Sequence, residues 1–420
     1  MARILLLTPQ LPIPPQALTG LSQGTTIRNF NLIAGLAQRH DVDLLTFQTT
    51  NDERRTTNDE IELLRPYCRQ IVAEPAPVRK LTLRLRDTLL NPLPDMALRL
   101  AAAALHAHLA RLLNENRYDV VQAEGIEMAP YLLDLRNQVF RRNLVSSPSR
   151  LVFDDHNAEY VLQQRAFLTD VRRPRRWPGA FYSLIQWQKL AVYERRVCRA
   201  ADAVVAVSEA DRLALQRLAP GLAVTVVPNG VDLAFYRPGV TPPLAGLGPH
   251  ALVFTGKMDY RPNVDAVLWF ADVVLPLILA QLPDAHFYVV GQQPHVRLAG
   301  LAGRPALTVT GRVPDTRPYI AAAGVYVVPL RIGGGTRLKV LEAMAMGQAL
   351  VSTRLGCDGF PFEDGREVRF ADEPAAFAAA VVALLRDREQ AGRLGKAARA
   401  YVEAHFGWDA IVPRLEELYR

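Results

Sequence analysis

The chain has 420 residues, 50% hydrophobic and 22% charged, with a formal net charge of +7. That composition excludes a disordered or low-complexity chain and, at roughly 150 residues per domain, predicts two folded units. Cys68, Cys198 and Cys357 lie far apart without metal-ligand spacing, which argues against a disulfide framework or a zinc site and predicts reduced, buried thiols.

Taken in chain order, "RILLLT" reads as a first buried strand. Its apolar run is too short for a signal peptide, and prolines follow at once. A helix is predicted from Gly24 and Thr25, with Ile27, Phe30, Ile33, Leu36 and Ala37 on one face, before the strand "DVDLLTF". Residues 52–117 are charged and helix-like and find no place in the sheet. Further strands are "YDVVQAE", "LVFDDHN" and "DAVVAVS". The positive surplus of the chain falls in residues 1–200. Part of it is local, where Arg172, Arg173, Arg175 and Arg176 stand beside Trp177, Phe181, Tyr182 and Trp187. Such a segment suits an anionic membrane surface or, equally, a solvated loop leading into a packed helix. No nucleic-acid motif accompanies the charge.

The composition turns proline- and glycine-rich after "VVPNGVDLAFYRPG", which sets the boundary between an N-terminal domain, 1–233, and a C-terminal domain, 234–405. The second half repeats the alternation with strands "ALVFTG", "HFYVVG", "LTVTG" and "GVYVVP", a helix from Asn263 and another near Thr336. Two helical stretches follow, and residues 406–420 form an amphipathic helix expected to cross back onto the first domain. No stretch reaches the ~18 uninterrupted apolar residues of a membrane span. The chain is therefore expected to be cytoplasmic, at most peripheral at the inner face of the membrane.

Each half thus reads as a doubly wound α/β unit, in which ligands sit beyond the carboxyl ends of the strands. In "GGGTRLKVLEAMAMG" the glycines, including Gly334 and Gly335, lie between a strand and a helix, where free amides and the positive helix end suit an anion such as phosphate or, equally, the glycines form a plain structural turn. The spacing is not that of a Walker loop, and Leu338 stands where a dinucleotide fingerprint wants a glycine. Glu342 lies beside a face of Leu338, Leu341 and Ala345, where an ionised acid is costly unless paired. It either pairs with Lys339 one turn earlier or accepts hydrogen bonds from vicinal hydroxyls such as those of ribose. Lys257 follows a strand end, where a fixed cation could neutralise a diphosphate leaving group or simply face solvent. His156 follows another strand end in "LVFDDHNAEY" and could orient a hydroxyl. With no second histidine or cysteine at ligand spacing, no metal is expected there.

With these residues in place the chain resembles the retaining glycosyltransferases of family 4, which have the GT-B fold: two doubly wound Rossmann-like domains facing each other across a cleft. The resemblance runs through "GTTIRNFNLIAGLAQRHDVDLL", "DDHNAEY", "AADAVVAVSEAD", "VVPNGVDLAFY", "VFTGKMDYRPNVDAV", "VTGRVPD", "GGGTRLKVLEAMAMGQALVST" and "WDAIVPRLEELY", in the family's order. It implies that Gly24 lies close to the donor diphosphate, His156 near the transferred sugar and Lys257 on the diphosphate. Arg312 and Val313 would meet the nucleobase through their backbone, and Glu342 would hold the ribose. Gly335, Thr336, Arg337 and Lys339 complete the implied donor site. The chain departs from the pattern twice. Gly334 stands where the family has the first glutamate of its pair, and Asn263 stands at a second basic position, so that Arg261, Arg337 or Lys339 must supply a second charge if one is needed. The implied reaction transfers sugar from a UDP- or GDP-sugar to a saccharide or lipid-linked hydroxyl, in polysaccharide or glycolipid synthesis, with retention, without metal and with no cofactor beyond the co-substrate donor. A nucleotide-sugar epimerase or hydrolase, or a non-catalytic sugar-nucleotide-binding partner, remains the alternative.

Overall fold

A computed structural model describes residues 1–14, 24–48, 50–51, 54–55, 58–140, 150–333 and 337–420. The chain divides into two compact units: one built from the segments before Pro228 together with Val412–Arg420, the other from Asn229–Ile411.

The first unit holds a seven-stranded sheet of β1 (Arg3–Thr8), β2 (Asp41–Gln48), β3 (Gln70–Pro75), β4 (Val120–Glu124), β5 (Arg150–Asp155), β6 (Ala203–Ala206) and β7 (Val224–Val226). Their order is β3-β2-β1-β4-β5-β6-β7, with every neighbouring pair parallel. Ile4, Leu5, Leu6 and Leu7 are all sealed from solvent, as a strand covered on both faces requires. Its longer helices are α1 (Gly24–Leu36), α2 (Leu81–Leu90), α3 (Ala103–Glu115), α4 (Ala129–Phe140), α5 (Glu159–Asp170), α6 (Trp177–Ala200) and α7 (Glu209–Leu218). On α1, Phe30, Ile33 and Leu36 are buried as expected, but Ile27 and Ala37 are only half-buried while Arg28 is fully inside. Residues 52–117, left out of the sheet on sequence grounds, do contribute to it. They supply β3, an edge strand whose residues are half-buried, so that no apolar run marks it.

The second unit holds six parallel strands, β8 (Ala251–Thr255), β9 (His286–Val290), β10 (Leu307–Gly311), β11 (Val325–Val328), β12 (Leu350–Ser352) and β13 (Arg369–Phe370), in the order β10-β9-β8-β11-β12-β13. The helices that matter here are α8 (Arg261–Trp269), α9 (Leu338–Ala345), α10 (Pro374–Arg386), α11 (Arg388–His405) and α12 (Trp408–Glu416). The helical stretch Arg261–Leu279 is long and apolar enough to cross a membrane by length and composition, yet 61% of its apolar window is buried within this unit. Trp269 and Phe270 pack edge-on against Phe377 of α10, the behaviour of a core helix. The final residues return to the first unit, where Val412 lies against Gly35 of α1 so tightly that a Cβ on the glycine would stand 2.5 Å from a valine methyl. All three cysteines are free and buried.

In both sheets the strand order reverses once, between β1 and β4 and between β8 and β11. Doubly wound sheets bind ligands at that point, outside the carboxyl ends, because the flanking connections leave to opposite faces and open a crevice.

Candidate active site

In the first unit, α1 begins at Gly24, which is exposed, and turns Arg28 inward. The Arg28 guanidinium, 2% exposed, donates from Nη2 to Asp154 Oδ2 at 2.7 Å and from Nη1 to the Pro228 carbonyl at 3.0 Å. Asp154, on β5, is fully buried. Burying either charge alone would be prohibitive, so the pair fixes α1 to the carboxyl end of the sheet. Strand β4 ends in Glu124, also buried, whose Oε1 accepts from Gln122 Nε2 at 2.5 Å. Its Oε2 lies 2.8 Å from His156 Nε2, and Gln122 Oε1 accepts from the Tyr419 hydroxyl at 2.7 Å. Burial on its own would pull the His156 imidazole down, but the hydrogen bond and charge of Glu124, with the charge of Asp154, raise its pKa above the ordinary value. His156 is thus held by Nε2 against a carboxylate. Gly125 follows Glu124 with φ +80°, and a Cβ there would stand 3.4 Å from His156 Nδ1. A side chain would meet both an unfavourable backbone conformation and the ring. Asp155, beside His156, is buried with no hydrogen-bond partner for either oxygen among the described residues. Burial and then the charge of Glu194 push its pKa well up.

Glu124, Asp154 and His156 bring ligand atoms within 4.8 Å of one another, the spacing of a small metal site. Oxygens of both carboxylates and the His156 Nε2 are already engaged, however, and Arg28 lies against Asp154. The chemistry of the set is that of an ion-pair network.

In the second unit Lys257 follows β8, is exposed and pairs with Asp259 at 3.2 Å. Its carbonyl accepts from Asn263 Nδ2 at 2.8 Å, and Asn263 Oδ1 accepts from Lys339 Nζ at 2.9 Å. Lys339 rises from the first turn of α9 and lies 4.1 Å above the Phe254 ring of β8, a cation–π position. A Cβ on Gly256 would stand 2.6 Å from the Lys339 ammonium. The lysine therefore reaches this strand end only because glycine is there. Burial lowers the Lys339 pKa from 10.5 to about 7, helped by the charge of Arg337 and opposed by that of Glu342. Glu342, one turn later and half-buried, has its pKa raised by burial, against the hydrogen bond of the Tyr236 hydroxyl and the charge of Lys339. Arg337 is buried at the N-cap of α9. Gly333 has φ +111°, and a Cβ there would stand 2.9 Å from Pro262 Cγ, so the loop lies close against the start of α8.

The structure thus gathers Lys257, Arg337, Lys339 and Glu342 around the ends of β8 and β11, which flank the switch point of the second sheet. Arg312 and Val313 follow the end of β10 on the same carboxyl side, Arg312 exposed and Val313 packed against the core. Gly334, Gly335 and Thr336 lie outside the described residues. The hydrogen bond to Glu342 comes from the Tyr236 hydroxyl, a partner not expected from the sequence, and Lys339 acts on it through charge. Sequence reasoning missed Arg28, Gln122, Glu124, Tyr236 and Tyr419. The one available signal was a charged or amide side chain inside an otherwise apolar window, as in "VVQAE".

Residues 23–235 match the model of Glycosyltransferase Family 4, and residues 249–387 match that of Glycosyl transferases group 1. A phosphatidyl-myo-inositol mannosyltransferase of Mycolicibacterium smegmatis is 31% identical over 203 residues, which is 46% of this chain and 50% of the relative. The chain therefore spans about half the length of that relative. Sucrose-phosphate synthase from Thermosynechococcus elongatus superposes with a TM-score of 0.68 at 21% identity, over 100% of this chain and 98% of the other. Anabaena Alr3699/HepE, solved with UDP and glucose, gives 0.60 at 17% identity over 99% of both chains.

Proposed function

Because the chain belongs to glycosyltransferase family 4 and has the GT-B fold of two Rossmann-like α/β domains, we propose that it moves a sugar from a UDP- or GDP-sugar onto a hydroxyl with retention at the anomeric carbon. The observation that carries this reading is the cluster at the switch point of the second sheet. There two lysines and the start of a helix offer positive charge to a diphosphate, and Glu342 stands one turn beyond to accept from ribose hydroxyls. Lys257 and Lys339 stabilise the charge that develops on the departing diphosphate. Lys339 thereby supplies the second cation that Asn263 lacks, with Asn263 as its support. Gly334, Gly335, Thr336 and Arg337 bind the donor in this reading, and the backbone of Arg312 and Val313 meets the base. In the first domain, residues 1–233, Gly24 opens α1 to the donor and His156 donates a hydrogen bond to the transferred sugar. Residues 234–405 hold the donor, and 406–420 rejoin the first domain.

The reaction proceeds in this reading without a metal and with no cofactor besides the donor, because fixed cations do the work of charge neutralisation. The acceptor is a saccharide or lipid-linked hydroxyl of cell-surface polysaccharide or glycolipid synthesis, and the enzyme works in the cytoplasm at the inner face of the membrane. A mannosyltransferase acting on phosphatidyl-myo-inositol among the relatives supports a lipid-linked acceptor.

Purified protein incubated with UDP- and GDP-sugars, with and without a panel of acceptors, tests the proposal. Acceptor-dependent product whose new linkage keeps the donor's anomeric configuration by NMR is expected. Free sugar or a free epimer forming at the same rate without acceptor identifies a hydrolase or epimerase instead, and saturable donor binding without any turnover identifies a non-catalytic partner.

A further inference from the structure

Helix α2 is amphipathic in the reverse sense. A surface helix ordinarily turns its apolar stripe inward and its charges out. Here Leu81, Leu85 and Leu89, at i, i+4 and i+8, are 67%, 56% and 67% exposed, and Leu90 beside them is 78% exposed. The inward side is polar. Arg79 donates to Asp95 Oδ1 at 2.9 Å and to Asp87 Oδ2 at 2.5 Å, Arg84 donates to Asp95 Oδ2 at 2.9 Å, and Asp95 is 3% exposed. The Lys189 ammonium of α6 caps the end of α2 by donating to the carbonyls of Thr88 at 2.7 Å and Asn91 at 2.6 Å. Gln186 Oε1, one turn back on α6, accepts from the Asp95 amide at 2.8 Å. Polar contacts thus bolt α2 to α6, and the leucines face outward.

The start of α6 continues the surface. Trp177 is 60% and Phe181 59% exposed, while Tyr182 on the neighbouring face reaches Asp95 beneath α2 at 3.4 Å. Lys80, Arg172, Arg173 and Arg175 are exposed on these two segments, as is Arg86, which pairs with Asp87, and the acids Asp87 and Asp170 are also paired with Arg79 and Arg176. Exposed leucines accompanied by exposed cations and an exposed indole match an anionic bilayer in both respects. The apolar groups meet the acyl boundary and the cations meet the headgroups. A protein partner would need acids placed against each cation, whereas a lipid surface supplies negative charge wherever the cations fall.

We propose that α2, together with the tip formed by residues 172–181, docks on an anionic membrane, with α2 lying in the plane of the interface and Leu81, Leu85, Leu89 and Leu90 buried in it. The inference goes beyond sugar transfer and is independent of it, since docking needs neither donor nor acceptor.

The test is sedimentation of the full chain, without donor, with vesicles of phosphatidylcholine alone or mixed with phosphatidylglycerol, at low and high salt. The wild type is expected to bind the mixed vesicles. Leu85→Ser with Leu89→Ser is expected to weaken partition about a hundred-fold at either salt concentration, because insertion of two leucines is lost. Replacing Arg172, Arg173 and Arg175 by Ser is expected to weaken it at low salt only. These side chains are exposed, so unchanged circular dichroism and melting confirm intact folding. A fluorophore on Leu85→Cys, with the native thiols buried, should shift to the blue on the mixed vesicles. Failure of the wild type to sediment, a leucine variant that partitions like the wild type at high salt, or a concentration-dependent dimer dissolved by the leucine changes would each overturn the proposal.

Discussion

The ammonium of Lys339 links donor binding to protons, and the size of the effect follows from its setting. Without donor its pKa lies at about 7, drawn down from 10.5 mainly by burial and then by Arg337. A diphosphate at the end of β8 favours the charged form and returns the pKa toward 10.5, so the donor binds together with a proton wherever the free site is neutral. The sign follows: affinity is highest below pH 7 and declines above it. The slope is about tenfold, or ~1.4 kcal/mol, per pH unit, with a ceiling of about 5 kcal/mol if the whole depression is reversed. The assay is titration calorimetry of a nucleotide sugar between pH 6 and 9. At pH 7, in buffers of differing ionisation enthalpy, about half a proton should be taken up per donor bound. Lys339→Met should abolish both the slope and the uptake and weaken binding at pH 7. A wild type whose affinity is flat across this range, or a variant that keeps the wild-type slope, refutes the assignment.

Three further outcomes follow from the same contacts. Arg28→Met leaves Asp154 charged and unpaired in a closed interior and should cost about 3–5 kcal/mol in denaturant unfolding, most of it recovered by adding Asp154→Asn; a loss near zero would mean the pair is not buried as described. Glu124→Gln removes the partner that holds the His156 pKa up, so NMR titration of that imidazole should move down. By linkage, the stability this raised pKa confers is complete below the unfolded value of 6.5 and disappears as pH rises through the folded one. The variant should therefore lose stability on the acid side, and equal pH profiles would contradict the dyad. A Cβ on Gly291 would stand 1.7 Å from the Gly256 carbonyl oxygen. Gly291→Ala should therefore destabilise by more than about 3 kcal/mol or fail to fold, and a variant that melts like the wild type would be incompatible with this packing.

Strands sealed on both faces were legible in the sequence because β1, β8 and β11 are nearly unbroken apolar runs. Strand β3 was not, because an edge strand alternates with solvent and carries Gln70 and Glu74 among its apolar positions. Helix α2 was obscured for the opposite reason, since its leucines follow a helical stripe that faces nothing. The basic and aromatic character of residues 172–187 was visible, but the structure divides them. Trp177 and Phe181 face outward, whereas Trp187 stacks on Phe167 at 6.2 Å. That Asn263 stands at a position wanting a cation could be read from the chain, but the meeting of Lys339 with it depends on how α9 rises from β11. The pairing of Arg28 with Asp154, 126 residues apart, has no local signature at all.

The most direct measurement is a crystal structure of the protein with UDP, GDP or an unreacted sugar nucleotide. The account predicts the diphosphate against Lys257 and Lys339 beyond the ends of β8 and β11, with the ribose hydroxyls on Glu342. A nucleotide bound elsewhere, with both lysines and Glu342 untouched, would contradict it.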